Sequence, residues 1–226
     1  MYLMRHGSVT YFDHEGRPHV PELVRLNEQG RAQAAAAGKV FSLAKLSFDR
    51  VIASGLPRTV ETATMVLAET GQRVEIEHWP ELEEIRGGKL ASISDEDLNE
   101  AFTGAFEGVV AEHKQFLGGE TIGQLIDRVF PGIERLRADH DWNTALLVLH
   151  GGVNRAILSY ALTGQRMFLG NLAQTAGCIN ALDVGEQATD WVVRMVNYSP
   201  PSALQTESHA TTMEALLDQY KKFRGL

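Results

Sequence analysis

The chain is poor in the residues that form disulfides, structural metal sites and membrane spans. Its 226 residues include a single cysteine, Cys178, so an internal disulfide is excluded, and no Cys-x-x-Cys motif or Cys/His cluster indicates zinc. No apolar run reaches the roughly 20 residues of a membrane helix, and the N-terminus lacks the basic and apolar regions of a signal peptide. We therefore expect a cytoplasmic protein with no membrane partner.

Positive charge is also scarce. Lysine and arginine number 21 against 29 aspartates and glutamates, and the formal net charge is -8. Because binding to nucleic acid depends on neutralising phosphates with Lys and Arg, this balance argues against a nucleic-acid partner. Any site for an anionic substrate must then be a local basic pocket. The apolar share (44%) and the charged share (22%) are ordinary, so we expect one folded domain over residues 1–226.

Short apolar runs alternate with longer helical patterns along the chain. This alternation is typical of a strand, a crossover helix and a parallel strand, and it predicts an α/β fold. Strands are predicted at 2–4, 48–53, 74–76, 144–149, 179–184 and 191–196, and helices at 28–46, 57–70, 120–138, 153–162 and 207–223.

Three segments stand apart from this alternation. Residues 8–25 read as a long loop, and residues 91–119, interrupted by glycines, read as an inserted lid or cap. The C-terminal helix, at about 207–223, has its apolar residues on one face. We expect that helix to pack on the body of the protein or on a partner subunit, which leaves a homodimer open.

Two of the predicted strands end in a histidine followed by glycine. Arg5-His6-Gly7 follows the first strand, and His150-Gly151-Gly152 follows the strand at 144–149. Ligands bind beyond the carboxyl ends of parallel strands, and a glycine lets backbone N–H groups come close to an anion. Arg5, and Arg58 in the first turn of a helix, can add bidentate bonds to phosphate oxygens. The sequence therefore predicts a phosphate pocket.

Four segments resemble motifs of the histidine phosphatase superfamily, which has the phosphoglycerate mutase-like fold. Leu3-Met4-Arg5-His6-Gly7 resembles its opening signature and residues 53–63 its second arginine motif. Gly118-Gly119-Glu120-Thr121, with Arg128, resembles its mid-chain motif, and residues 149–155 its second histidine motif. The four segments follow the family order. The resemblance implies a three-layer α/β/α sandwich whose central sheet is mostly parallel, with helices on both faces.

The resemblance also implies roles for individual residues. His6 would be the nucleophile that forms a phosphohistidine, and Arg5, Arg58 and His150 would hold the phosphoryl oxygens. Two arginines and a protonated histidine can replace a metal ion, so the resemblance implies neither a metal nor another cofactor. His6 must attack as a neutral ring, and we expect its other ring nitrogen to bond to a backbone carbonyl just after Gly7. The expected reaction is hydrolysis of a phosphomonoester of a small metabolite.

The leaving group also needs a proton, and relatives take it from a carboxylic acid in an L-x-E-x-x-x-G segment. Residues 82–88 match this segment with Glu84, while Glu83 is an adjacent rival. Arg86 stands where many relatives have an acidic or neutral residue. It could bind the substrate or pair with Glu83.

Other polar residues complete the prediction. Ser8, Gly151 and Arg17 are candidate phosphate ligands, although Arg17 can contribute only if the 8–25 loop folds back over the pocket. His14 and His19 match no metal template, so we interpret them as surface or substrate-contacting residues.

Three residues of the family-like segments are given structural roles instead. Ser54 is interpreted as a helix cap, and Glu120 with Arg128 as a salt bridge.

Two alternatives to a phosphatase remain open. A phosphoglycerate mutase needs further cations for a second anionic group. The 92–119 segment, however, contains six acidic residues and only one Lys or Arg, Lys114. The residues that follow Gly7 also lack the Glu and Asn found there in many members. A module that binds a phosphorylated ligand without catalysis is the other alternative, and the complete set of candidate catalytic residues argues against it.

Overall fold

The computed structural model describes residues 1–187, 189–201 and 210–226. Its strands are β1 (Tyr2–Arg5), β2 (Arg50–Ala53), β3 (Ile76–His78), β4 (Val109–Val110), β5 (Ala145–Leu149), β6 (Phe168–Leu169), β7 (Ile179–Val184) and β8 (Trp191–Tyr198). Six of them form the central sheet in the order β3-β2-β5-β1-β7-β8. The first four in that order are parallel, and β7 and β8 add an antiparallel edge. β4 and β6 pair separately.

The α-helices of the described residues are α1 (Glu28–Leu43), α2 (Pro57–Thr70), α3 (Leu98–Thr103), α4 (Ile122–Ala138), α5 (Gly151–Thr163) and α6 (Thr212–Arg224). No helix in this part of the chain is both long and apolar enough to cross a bilayer.

Most of the predicted helix boundaries are confirmed, with shifts of a few residues. The Asn27 side chain caps α1 by accepting from Gly30 N at 2.8 Å, as expected. α1 ends earlier than predicted because the chain turns at Lys45, where φ is 53°. α5 begins directly after His150, two residues before its predicted start at Val153. The first residues of the predicted C-terminal helix lie outside the described part, and α6 itself begins after the cap residue Thr211.

Side chains alternate across the sheet and bury both of its faces. On β5, Leu146 and Val148 pack with residues of α1 and α2, while Leu147 and Leu149 pack with residues of α4 and α5. Every residue of β5 is buried, which explains why this strand reads as a continuous apolar run. The predicted three-layer α/β/α sandwich with a mainly parallel sheet is confirmed.

The strand register determines where the catalytic candidates lie. Arg5 is the partner of Leu149 across the β1–β5 ladder, so the next residues, His6 and His150, emerge side by side. On the other side of β5, Ala53 is the partner of Val148, which places Ser54 at the same edge. The carboxyl ends of β1, β5 and β2 therefore form one site, as expected for parallel strands.

The 8–25 loop, the segment predicted as a lid and α6 pack together. Phe12 from the loop joins Leu98 and Phe102 of α3 and Leu217 and Tyr220 of α6 in one apolar cluster. The rings of Phe102 and Tyr220 stack with centroids 5.8 Å apart. The C-terminal helix thus packs on the body of its own chain, which is one of the two predicted arrangements.

Candidate active site

The site is built around two buried histidines at neighbouring strand ends. His6 is 2% exposed and His150 is fully buried. Their ring centroids lie 5.2 Å apart with the ring planes at 65°. α5 begins immediately after His150, so the partial positive charge at that helix N-terminus falls at the same place.

His6 is held in one tautomer by the backbone. Its Nδ1 lies 2.7 Å from the carbonyl oxygen of Gly7, the bond expected from the sequence. Because a carbonyl only accepts, Nδ1 carries the proton and Nε2 keeps a lone pair while the ring is neutral. Burial, followed by the charges of Arg58 and Arg5, lowers the pKa of His6 well below its ordinary value. The ring is therefore neutral near pH 7, as a nucleophile must be.

His150 is held by a chain of hydroxyl groups. The Thr59 hydroxyl donates to the Leu56 carbonyl at 2.8 Å, Ser54 Oγ lies 3.0 Å from Thr59 Oγ1, and His150 Nε2 lies 2.8 Å from Ser54 Oγ. Each hydroxyl has one proton, so Ser54 donates to Thr59 and accepts from His150 Nε2. Nδ1 of neutral His150 then has no proton, and it can donate only when the ring is a cation.

The free site favours neutral His150, and a bound anion would reverse this. Burial lowers the pKa of His150 well below its ordinary value, and the charges of Arg58, His6 and Arg5 lower it further. Its Nδ1 is buried and has no hydrogen-bond partner among the described residues. An anion beside Nδ1 would favour the cation and raise the pKa. Binding of an anion should therefore take up a proton.

The helix-cap interpretation of Ser54 is wrong. The N-cap of α2 is Leu56, which provides no side-chain cap, and Ser54 Oγ lies a long 3.5 Å from Leu56 N. The position of Ser54 directly after β2, at the strand edge that holds both histidines, was the signal that sequence reasoning missed.

We expect the Ser54→Ala variant to lose most of this proton linkage. In the wild type, the inhibition constant of sulfate, which has no titratable proton near neutrality, should rise about tenfold per pH unit above the pKa of His150, because each bound anion requires one added proton. Without the Ser54 acceptor, neutral His150 can adopt the tautomer with a proton on Nδ1 and donate directly. The slope of log Ki against pH should then fall by about one, whereas exposed Ser42→Ala should keep it. Equal slopes in wild type and Ser54→Ala would contradict the tautomer argument.

Two arginines lie beside the histidines, and neither has a carboxylate partner among the residues that the structure describes. Arg5 is 9% exposed, and its Nη1 donates to the Gln174 carbonyl at 2.5 Å and to Thr212 Oγ1 at 3.0 Å. Arg58 is 3% exposed, and its Nη1 donates to the Pro21 carbonyl at 2.6 Å. The Nε atoms of both side chains are buried with no partner in the described residues. An uncompensated buried charge raises the free energy of the folded protein, so these two guanidinium groups favour binding of an anion.

Glu84 lies at the N-terminus of α5, beside His150. Its Oε1 accepts from Ile85 N and Gly152 N, both at 3.0 Å, while Oε2 has only a 3.2 Å contact with Gly152 N. Oε2 is thus the oxygen better placed to carry a proton. The rival Glu83 instead faces Arg86, with Oε2 3.4 Å from its Nη2. This geometry supports Glu84 and the structural alternative for Arg86.

The Glu120–Arg128 salt bridge is present, and it also fixes the segment that carries Glu84. Arg128 contacts both Glu120 carboxylate oxygens, at 3.1 and 2.9 Å. Its remaining N–H groups donate to the carbonyls of Glu81 and Glu83 at 2.8 Å and of Glu84 at 3.3 Å. Arg128 is therefore a positioning residue for the candidate acid.

Arg5, Arg58 and Glu84 line a cavity of about 860 Å³, and Gly151, the residue after His150, lines it too. This volume is within the usual range for small-molecule sites. Ser8 and His19 also line the cavity. The lining also includes apolar and aromatic side chains, namely Tyr11, Phe12, Phe102, Phe106, Leu117, Met213 and Leu216. No group of three or more metal-ligating side chains occurs in the part of the chain that the structure describes.

The structure does not bring Arg17 to the cavity. Asp13 accepts from the backbone N–H groups of Glu15 and Arg17, which closes a tight turn in the loop. The Arg17 side chain is 66% exposed and pairs with Glu15. His14 also lies on the surface, near Glu15.

Sequence reasoning missed four residues of the site. Thr62 Oγ1 accepts from Gly7 N at 3.1 Å, Gln174 and Thr212 contact Arg5, and Arg155 lines the cavity. Thr62 and Arg155 lie inside family-like motifs, which was an available signal. Gln174 and Thr212 lie in no such motif, and only the folded chain brings them to Arg5.

Comparison with known proteins agrees with this architecture. Residues 1–198 match the family model of the histidine phosphatase superfamily (branch 1), and the chain belongs to this family. It is 28% identical to a metal-independent phosphoserine phosphatase of Arabidopsis thaliana, over 84% of this chain and 78% of that protein. It is also 28% identical to an adenosylcobalamin/alpha-ribazole phosphatase of Salmonella typhimurium, over 82% of this chain and 91% of the relative.

A solved structure shows the same fold. The mycobacterial glucosyl-3-phosphoglycerate phosphatase in complex with VO3 superposes with a TM-score of 0.66 at 24% identity, over 87% of this chain and 98% of that one. The family match ends at residue 198, so α6 lies beyond it even though Thr212 contacts Arg5. Family membership and phosphatase relatives together support a phosphatase.

Proposed function

We propose that the protein hydrolyses a phosphomonoester of a small metabolite through a phosphohistidine on His6, without a metal ion. The observation that carries this proposal is the proximity of two buried histidines, His6 and His150, to each other and to Arg5 and Arg58. Both arginines and Glu84 line one cavity. Arg5 and Arg58 have no ion pair in the described residues, so the site has positive charge available for a phosphoryl group.

The first step transfers the phosphoryl group to His6. The Nε2 lone pair attacks phosphorus while the bond to the ester oxygen breaks in line. Arg5, Arg58 and the cationic form of His150 neutralise the charge on the equatorial oxygens. Glu84 gives its proton to the leaving oxygen, so the alcohol departs neutral.

The second step returns His6 to its starting state. A water molecule takes the place of the alcohol, and the Glu84 carboxylate accepts its proton as the oxygen attacks phosphorus. The bond to Nε2 breaks, inorganic phosphate forms, and Glu84 is again protonated. Each group ends the cycle as it began.

The relatives support the reaction class and leave the substrate open. Their names give phosphoserine, alpha-ribazole and glucosyl-3-phosphoglycerate as the phosphorylated molecules of three different proteins. These molecules share the phosphate group and differ in the remainder. We infer only a small phosphorylated metabolite as the partner, in a cytoplasmic protein as the lone cysteine suggests.

The direct test measures phosphate release in EDTA. We expect the wild type to hydrolyse p-nitrophenyl phosphate and at least one of O-phosphoserine, alpha-ribazole phosphate and glucosyl-3-phosphoglycerate with no loss on chelation. The protein should first be dialysed against EDTA and checked for residual metal. Activity that disappears in EDTA and returns with a divalent cation would contradict metal independence.

The two alternatives give different results in the same assay. Phosphoryl exchange between phosphoglycerates without net phosphate release would indicate a mutase. Binding of phosphorylated compounds with neither release nor exchange would indicate a module without catalysis.

A further inference from the structure

Arg155 differs from most arginines in the protein interior. The arginines of the described residues that are buried or half-buried are Arg5, Arg50, Arg58, Arg128, Arg137 and Arg155. Arg50, Arg128 and Arg137 form ion pairs with carboxylates, and none of them lines the cavity. Arg5, Arg58 and Arg155 have no ion pair in the described part of the chain, and all three line the cavity. The proposed mechanism uses the first two and leaves Arg155 without a role.

The neighbours of Arg155 among the described residues leave its two Nη atoms free to bind a ligand. Nε donates to the Gly170 carbonyl at 3.0 Å, and the guanidinium carbon lies 4.8 Å from the Phe106 ring centroid. These contacts fix the plane of the side chain but leave both Nη atoms without a hydrogen bond to any described residue. Burial and the neighbouring Arg5 lower the pKa of Arg155 to about 10, so it is still a cation near neutrality.

Arg155 lies beside Arg5, near the point where the phosphoryl group is expected. A Cβ built on Gly151 would be 3.2 Å from Arg155 Nη1 and 3.6 Å from Arg5 Nε, so both guanidinium groups approach the same glycine. The nearby Glu84 charge favours the Arg155 cation, but neither guanidinium forms an ion pair with a carboxylate in the described residues. Two cations this close are stabilised when an anion binds between them. The phosphoryl group already has Arg5, Arg58 and His150, which leaves Arg155 for a second group of the same substrate.

We propose that Arg155 binds a carboxylate of the substrate, and that the substrates are therefore phosphate esters of hydroxy acids with the carboxylate close to the ester oxygen. This inference rests on the proposed phosphatase function. The planar Nη pair matches a carboxylate in bidentate geometry.

The charges around the rest of the cavity favour a singly charged group over a second phosphate. Lys114, the basic residue of the 92–119 segment, pairs with Glu100, and Arg86 pairs with Glu83. The cavity wall also contains Glu22 and Glu83. A second phosphate dianion would lack further cations there, whereas a carboxylate needs only one guanidinium.

The test compares two esters that differ only in the carboxylate, O-phosphoserine and phosphoethanolamine. We expect the wild type to prefer O-phosphoserine by about 10- to 100-fold in kcat/KM, mostly through KM, as one charge-assisted bidentate contact allows. Arg155→Gln should reduce this ratio to near one. Arg155→Lys, which keeps the charge without the planar fork, should keep part of it. The exposed Arg194→Gln, whose side chain does not line the cavity, should leave the ratio unchanged.

The outcomes separate this inference from the proposed function. No preference in the wild type, or equal losses for both esters in a folded Arg155→Gln protein, would overturn the carboxylate site. If no ester is hydrolysed at all, the proposed function fails instead. The inference is then decided by calorimetry, where O-phosphoserine should bind more tightly than phosphoethanolamine to the wild type and equally to Arg155→Gln.

Discussion

Replacing His6 with alanine is expected to lower kcat for every phosphomonoester by at least about 10⁴-fold, to the background rate. The remaining site would still hold the phosphoryl group between Arg5, Arg58 and His150. It would have no neutral nitrogen in line with the leaving oxygen. His150 can donate from Nδ1 to the phosphoryl group only as a cation, and the cationic ring has no free lone pair. His150 therefore cannot substitute as the nucleophile while it serves as a cation.

The intermediate provides a readout besides activity. Wild-type protein quenched in alkali during turnover should carry a phosphoryl group on the peptide that contains His6, stable in base and lost in acid. His6→Ala should carry none. The exposed His140→Ala serves as the matched control and should behave as wild type. A phosphoryl group on the His150 peptide, or turnover by His6→Ala near the wild-type rate, would refute the assignment.

The opposite roles that we propose for the two histidines follow from the hydrogen-bond partner of each ring. Both rings lie in the same buried pocket, and burial is the first cause of the lowered pKa in each. The Gly7 carbonyl leaves a lone pair on His6 Nε2, whereas the Ser54 hydroxyl leaves His150 able to donate toward an anion only as a cation. Environments that separate the protonation states of similar groups are how acid and base roles are divided in a site.

Much of the fold and of the candidate site could be predicted because strand topology converts sequence order into proximity. Once β1 and β5 are neighbouring parallel strands, His6 and His150 must meet at their carboxyl ends. The positions that escaped prediction depend on loops and on the far end of the chain. The Arg17 side chain is turned outward by a turn at Asp13, and Thr212 reaches Arg5 across 207 residues of sequence. No local pattern encodes such contacts.

The roles proposed for Ser54 and Arg155 could not be predicted from the sequence for a different reason. Both residues lie in motifs that sequence reasoning had identified, but a serine at a helix start and an arginine inside a helix each have a common structural explanation. Only the absence of a side-chain cap on α2 and of an ion pair on Arg155 in the described residues separates the functional role from the structural one.

The second large effect is expected for Glu84→Gln, which keeps the shape of the side chain and removes the proton donor. With alkyl phosphates, whose leaving oxygen needs a proton, kcat/KM should fall by about 10²- to 10⁴-fold. With p-nitrophenyl phosphate, whose leaving group departs as a stable anion, formation of the phosphohistidine should be much less affected. Its hydrolysis should still be slow, because no carboxylate is present to take the proton from water.

The two halves of this prediction are measured separately. In rapid-quench experiments with p-nitrophenyl phosphate, Glu84→Gln should release a burst of nitrophenol and accumulate the phosphoenzyme to nearly one per site, whereas the wild type should hold a smaller, still detectable steady-state fraction. Glu83→Gln is the matched control, because Glu83 is adjacent in sequence but faces Arg86. If Glu83→Gln accumulates the intermediate and Glu84→Gln does not, the acid is Glu83. The hydrogen bonds from Ile85 N and Gly152 N to Glu84 would then have only a structural role, holding the start of α5 against the neighbouring loop.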